Sequence, residues 1–126
     1  MPHAIPTDRK IEAGDIIIID LGCVYDGYHS DMTRTIFVEY VQEQYKQVYD
    51  LVLKNQLQTM KELRSGASIK MFCKLVENDF KLKGYDVIHG LGHGVGLDIH
   101  EIPNINSKSE MLLRENMVIT NEPRYL

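Results

Sequence analysis

Four side chains able to bind a hard cation stand at strand-end and loop positions of this sequence. Asp20 closes the run Ile16-Ile17-Ile18-Ile19, Asp31 follows a turn, His93 lies within HGLGHGVGLDIH (89–100), and Glu122 follows Met117-Val118-Ile119-Thr120. A carboxylate at the end of so apolar a run is costly unless it is hydrogen-bonded, paired or bound to metal. Three carboxylates and an imidazole form a mostly oxygen donor set, suited to Mn²⁺, Fe²⁺, Co²⁺ or Zn²⁺ rather than to thiolate chemistry. Two such ions about 4 Å apart would acidify a water and clamp a tetrahedral intermediate. His89 and His100 flank His93 as donors for a substrate carboxylate or an oxyanion. Each residue also has an ordinary reading. Asp20 can be a turn acceptor, Asp31 a surface residue, Glu122 an exposed strand end, and the histidines hydrogen-bonded members of a glycine-rich loop. No Ser-His-Asp order, nucleophile elbow or P-loop competes for the chemistry.

The elements that must position these groups are readable from pattern. Residues 1–15 form an irregular lead-in with two prolines and no periodicity. The β-branched Ile16–Asp20 stretch predicts a strand buried on both faces. Asp26-Gly27 is a hairpin turn signal, and the return strand is expected over Ser30 to Val38, which would bring Asp20 and Asp31 together. A helix is expected from Val41 to Leu63, its inner face marked by Tyr45, Val48, Val52, Met60 and Leu63. A second should start after Ser68 and end near Gly84, with Ile69, Phe72, Leu75, Val76 and Phe80 inward. Gly84 to Ile88 reads as a short strand, Glu101–Asn104 as a loop, Ser107–Leu113 as a polar connection, and Met117–Thr120 as a strand.

Composition bounds the alternatives. With 126 residues, 44% hydrophobic and 25% charged, the chain suits one modest soluble domain. A net charge of −4 without a basic run argues against nucleic acid as a partner. The apolar runs are too short for a bilayer, and the N-terminus lacks the pattern of a secretory signal. Cys23 and Cys73 stand apart, which points to a reducing cytoplasm rather than a disulfide framework.

GDIIIIDLGCVYDGYHSDMTRT, HGLGHGVGLDIHEIP and ENMVITNEP, in that order, resemble the metal-binding motifs of the Xaa-Pro peptidases. These are the proline dipeptidases and aminopeptidases P of the pita-bread metallopeptidase family. The lead-in PHAIPTDRKIEAGD is similar as well, so the likeness runs from Pro2 to Pro123. It implies an α+β fold, a partial pita-bread (creatinase/aminopeptidase-like) domain of antiparallel strands with two helices. It implies Asp20, Asp31, His93 and Glu122 as metal ligands, Asp31 bridging two ions, most often Mn²⁺. His3, His89 and His100 match histidines of the family's substrate site, and Thr33 is similar to a threonine beside the metals. Catalytic roles fall to His89, His100 and Glu122. Asp31-Met32-Thr33-Arg34-Thr35 favours the Xaa-Pro branch over the methionine aminopeptidases.

The implied reaction is hydrolysis of the bond between an N-terminal residue and proline by a metal-bridging hydroxide. The substrate is a small peptide with proline second, and a homodimer is in keeping with the family. Departures accompany the likeness. The family's domain is longer, with elements before and after residues 1–126, and its fifth ligand, a later bridging glutamate, has no counterpart here. A substrate-holding arginine is also missing, and Arg124 replaces the glycine that usually follows Glu-Pro. The alternative is therefore a truncated, inactive segment serving at most as a metal- or partner-binding module.

Overall fold

A computed structural model describes residues 5–86 and 90–124. Strand β1 (Ile16–Leu21) pairs antiparallel with β4 (Met32–Phe37), and Asp20 stands opposite Thr33. Between them β2 (Val24–Tyr25) and β3 (Tyr28–His29) form a small ladder closed by Asp26 and Gly27. Both turn residues have positive φ, 50° and 83°, the geometry that makes Asp-Gly a tight hairpin turn. Ahead of β1, Arg9 grips Asp15 through two nitrogens at 2.8 and 2.6 Å. That hydrogen bonding, helped by the Glu12 backbone, lowers the Asp15 carboxyl to about 2.

Two helices follow, α1 (Glu43–Glu62) and α2 (Ile69–Leu82). Gly84, at φ 81°, terminates α2: its N–H reaches the Lys81 carbonyl at 3.0 Å while that of Tyr85 reaches Phe80 at 3.0 Å. These are the paired bonds of a Schellman ending, which needs a left-handed residue where glycine stands. Ile69, Phe72, Cys73, Val76 and Phe80 of α2 form the core with Leu51, Leu91, Ile105 and Leu113. Leu75, expected inside, is 58% exposed. On α1 the buried stripe is Leu51, Asn55 and Thr59, whereas Tyr45 and Met60 are exposed. Asn55 can be buried because its amide donates to the Leu51 carbonyl and to Asp79, each at 2.9 Å. Thr59 bonds back to the Asn55 carbonyl. Satisfied polar groups thus occupy the face that hydrophobicity alone would assign elsewhere.

The remaining strands are β5 (Gly92–Gly94) and β6 (Glu101–Ile105), paired antiparallel with an irregularity between His93 and Gly94. Residues 101–104, expected as a loop, are therefore strand. His93 faces Asn104 and Gly94 faces Glu101, so Ile102 and Pro103 are the extra residues of a bulge. A bulge asks no ladder donor of Pro103, which is how proline fits into a strand. Residues 118–122 run along the other side of β5, held by Val95 N–H to Val118, Thr120 N–H to His93 and Glu122 N–H to Leu91. They extend the sheet through a single bridge, Gly94 to Ile119, rather than as the full strand expected. Tyr85 and Asp86 carry no regular structure, and the rest of the strand expected there lies outside the described residues.

The expectation that Ile16–Asp20 is buried on both faces does not hold. Only Ile17 is partly covered within β1, and Ile18 is 62% exposed. Among the described residues β1 has a single strand neighbour, β4, and no helix lies on it. A ring contact from Phe37 to Tyr49, centroids 5.1 Å apart, joins β4 to α1. No described helix is long and apolar enough to cross a membrane.

Burial also separates the two cysteines. Cys73 is fully enclosed in the core, and desolvation, with a smaller push from Glu77, raises its thiol to about 12. Cys23 is exposed. A thiol-reactive disulfide reagent at neutral pH is expected to label Cys23 at once and Cys73 only after denaturant is added, because the thiolate is the reactive form. Fast labelling of both in the native protein would contradict the packing of α2. The raised value also fixes the sign of the pH dependence. The stability from burying a neutral thiol is complete below the ordinary value near 9 and is lost as pH rises towards 12.

Candidate metal centre

Three segments distant in sequence deliver three of the expected side chains to one point. Asp31 comes from the residue before β4, His93 from the middle of β5, and Glu122 from the segment paired to β5. His93 Nε2 lies 3.4 Å from Asp31 Oδ2 and 3.2 Å from Glu122 Oε1. One donor atom from each falls within 4.8 Å of the others. The side chains are only 15%, 17% and 29% exposed for His93, Asp31 and Glu122.

The orientation of His93 is fixed from behind. Its Nδ1 lies 2.9 Å from the Gly94 carbonyl, an acceptor that calls for a proton on Nδ1. Nε2 is then the free nitrogen, turned to the two carboxylates, as in an imidazole ligand held by an outer hydrogen bond. Converging lone pairs of this kind are satisfied by a divalent cation among them. Oxygen donors with one imidazole suit Mn²⁺, Fe²⁺, Co²⁺ or Zn²⁺. The residues present therefore fit a metal.

Several contacts hold the three segments in place. The hairpin that leads into Asp31 is tied to the loop after β5, His29 N–H donating to the Gly96 carbonyl at 2.7 Å. On the other side Asn121 and Gln56 of α1 exchange side-chain bonds to each other's carbonyls at 3.1 and 3.4 Å. Those bonds anchor the residue before Glu122 to a helix. Gly92 and Gly94 let three backbones approach: a Cβ on Gly92 would stand 2.4 Å from the Thr120 carbonyl oxygen, and one on Gly94 2.4 Å from that of Ile102.

The other expected site residues are placed differently. Asp20 stays outside the three-residue cluster; its carboxylate is exposed and accepts the Thr33 hydroxyl at 3.1 Å across the β1–β4 pair. His100 is exposed and packs its ring edge-to-face on His93, centroids 4.3 Å apart. His3 and His89 lie outside the described residues. Thr120 was not singled out as a site residue by sequence, yet its hydroxyl touches both His93 and Glu122. The signal was the Thr-x-Glu spacing, which turns both side chains to one side of an extended segment.

The profile of metallopeptidase family M24 matches residues 1–126. The chain belongs to this family. It is 42% identical over 125 residues to an Xaa-Pro dipeptidase of Pyrococcus furiosus, covering 98% of this chain and 36% of that protein. Among solved structures it is similar to the prolidase from Pyrococcus furiosus, with a TM-score of 0.91 at 42% identity over 98% of this chain and 37% of that one. It is similar also to a recombinant prolidase from Thermococcus sibiricus, with a TM-score of 0.93 at 38% identity over 99% and 35%. The chain thus spans about a third of the length of the relatives it matches. Its α+β architecture of short antiparallel strands and two helices is that part of the M24 pita-bread fold. Membership of M24 implies divalent metal ions, and Asp31, His93 and Glu122 form a group able to hold one.

Proposed function

We propose that this chain carries metal-ligating and substrate-facing residues of a peptidase that hydrolyses the bond between an N-terminal residue and proline. One observation carries the reading: Asp31, His93 and Glu122 converge in a chain 42% identical to Xaa-Pro dipeptidases. Bound divalent ions, Mn²⁺ by this reading, would supply Lewis acidity and a water acidified towards neutral pH. The chain's own groups do the rest. Asp31 and Glu122 would supply anionic oxygen ligands, Asp31 to both ions, and His93 would offer Nε2 to one of them. Asp20, on β1 opposite Thr33, would be the ligand for the second ion. His100, edge-to-face with His93, donates to the substrate carboxylate or to the oxygen on which negative charge develops. His89 is assigned the same task and His3 a place at the substrate, while Glu122 doubles as the carboxylate nearest the proton transfers. The substrate class is a short peptide with proline second, the setting cytoplasmic, and the assembly a homodimer.

The test is hydrolysis of an Xaa-Pro dipeptide with and without added Mn²⁺. Metal-dependent turnover is expected. A folded sample that takes up metal but does not turn over would favour the second reading, a metal- or partner-binding module, for which Asp20 standing outside the cluster speaks. Replacing His100 with alanine separates the roles further. Metal content should be unchanged and kcat/KM should fall by about 10²-fold, the scale of losing one donor to an oxyanion. An unchanged rate would remove His100 from the reaction.

A further inference from the structure

Thr120 sits between two groups of the candidate centre, and its hydrogen bonds run in one direction. The N–H of His93 donates to Thr120 Oγ1 at 3.0 Å, and Oγ1 donates to Glu122 Oε1 at 2.8 Å. The only other acceptor near that hydroxyl among the described residues is the His93 carbonyl, at 3.5 Å. A short bond to a carboxylate outcompetes a long one to a carbonyl, so the proton lies towards Glu122. Glu122 Oε1 is also the atom 3.2 Å from His93 Nε2.

The backbone shows how unusual the arrangement is. His93 and Thr120 stand opposite each other, and Thr120 N–H bonds to the His93 carbonyl at 2.8 Å. In a regular antiparallel pair the His93 N–H would return that bond to the Thr120 carbonyl. Here it goes to the side-chain oxygen. Gly92 makes room for this, since a Cβ there would lie 2.6 Å from Thr120 Oγ1.

We infer that Thr120 is a positioning residue for the metal centre, setting the Glu122 carboxylate against His93 by a hydroxyl relay from the His93 backbone. The inference rests on the metal-centre reading above. Thr120 touches no reacting atom; it holds Glu122 Oε1, the carboxylate oxygen that faces His93 Nε2, in place. Outer partners of this kind tune affinity by orienting ligands that would otherwise rotate.

The experiment is Co²⁺ titration of the metal-free chain, followed by its visible absorption, for the wild type and for Thr120→Val, Thr120→Ala and Thr120→Ser. Valine keeps the branched shape and removes the hydroxyl, whereas serine keeps the hydroxyl and removes the methyl. Loss of the hydroxyl should weaken Co²⁺ binding about tenfold to a hundredfold and change the ligand-field spectrum. Serine should stay within about twofold of wild type, a rescue that a merely packing role would not give. Wild-type affinity and spectrum in the valine variant would overturn the inference and leave the metal centre standing. So would a serine variant as weak as alanine, a comparison that holds even where valine disturbs folding. A wild-type chain that takes up no Co²⁺ would overturn the metal centre itself, and this inference with it.

Discussion

Asp31→Asn is expected to abolish metal-dependent hydrolysis of Xaa-Pro dipeptides. Asparagine preserves the size of the side chain and removes the charge, so the fold should persist while the centre loses one of its two clustered carboxylates. Asp31 is 17% exposed, so its charge is only partly screened by solvent and its loss is felt at the centre. An outer-partner mutation already weakens metal binding 10–100-fold, and removal of a direct anionic ligand should exceed about 10²-fold. Elemental analysis after dialysis, beside initial rates, checks both halves. Retained turnover would eliminate Asp31 as a shared ligand and with it the two-ion reading.

The second large effect is structural. Gly92→Ala should cost about 3 kcal/mol, the upper part of the range for forcing atoms into a packed site. The new Cβ would meet the Thr120 carbonyl oxygen at 2.4 Å and its Oγ1 at 2.6 Å, and the carbonyl is backbone that cannot swing away. The residue also sits at φ 152°. Gly66→Ala is the control: φ is 86°, but a Cβ there meets nothing within 4 Å, so it bears only the left-handed penalty of about 1 kcal/mol. Urea denaturation of the two variants gives the comparison. Equal losses would show that backbone conformation, not the approach of residues 118–122 to β5, is what Gly92 provides. Because that approach carries Thr120 and Glu122 to His93, the alanine variant should also lose metal affinity.

These sites show why parts of the molecule were legible in the sequence and others were not. Asp26-Gly27 carries its own conformational instruction, and the existence of α1 and α2 follows from near-helical apolar spacing, with Gly84 closing α2. Local chemistry decides such features, so local reading finds them. The buried stripe of α1 was misassigned because Asn55 and Thr59 are hidden by hydrogen bonds to partners that a hydropathy pattern does not contain. β6 was missed because Pro103 reads as a strand breaker until the bulge opposite His93 and Gly94 is seen. The isoleucines of β1 announce burial, yet among the described residues only Ile17 is partly covered, since hydropathy records a tendency and not the neighbour that satisfies it.

The metal group shows the same division. An acid after the hairpin turn, a histidine among glycines and an acid at the end of an apolar run mark Asp31, His93 and Glu122 as candidates by type. Their convergence depends on pairing between β5 and residues 118–122, and on the His29–Gly96 bond that draws the hairpin in. Neither is a property of any one segment. Asp20 bears the same sequence mark and remains against Thr33, which shows that type alone does not fix membership of the cluster.

Calorimetric titration of the metal-free chain with Mn²⁺, beside a variant carrying Asp31→Asn, His93→Ala and Glu122→Gln together, tests the central claim most directly. Saturable binding to the wild type, absent from a triple variant with the same circular dichroism spectrum, is the expected result. Equal heats from both proteins would mean that these three residues do not hold a metal ion.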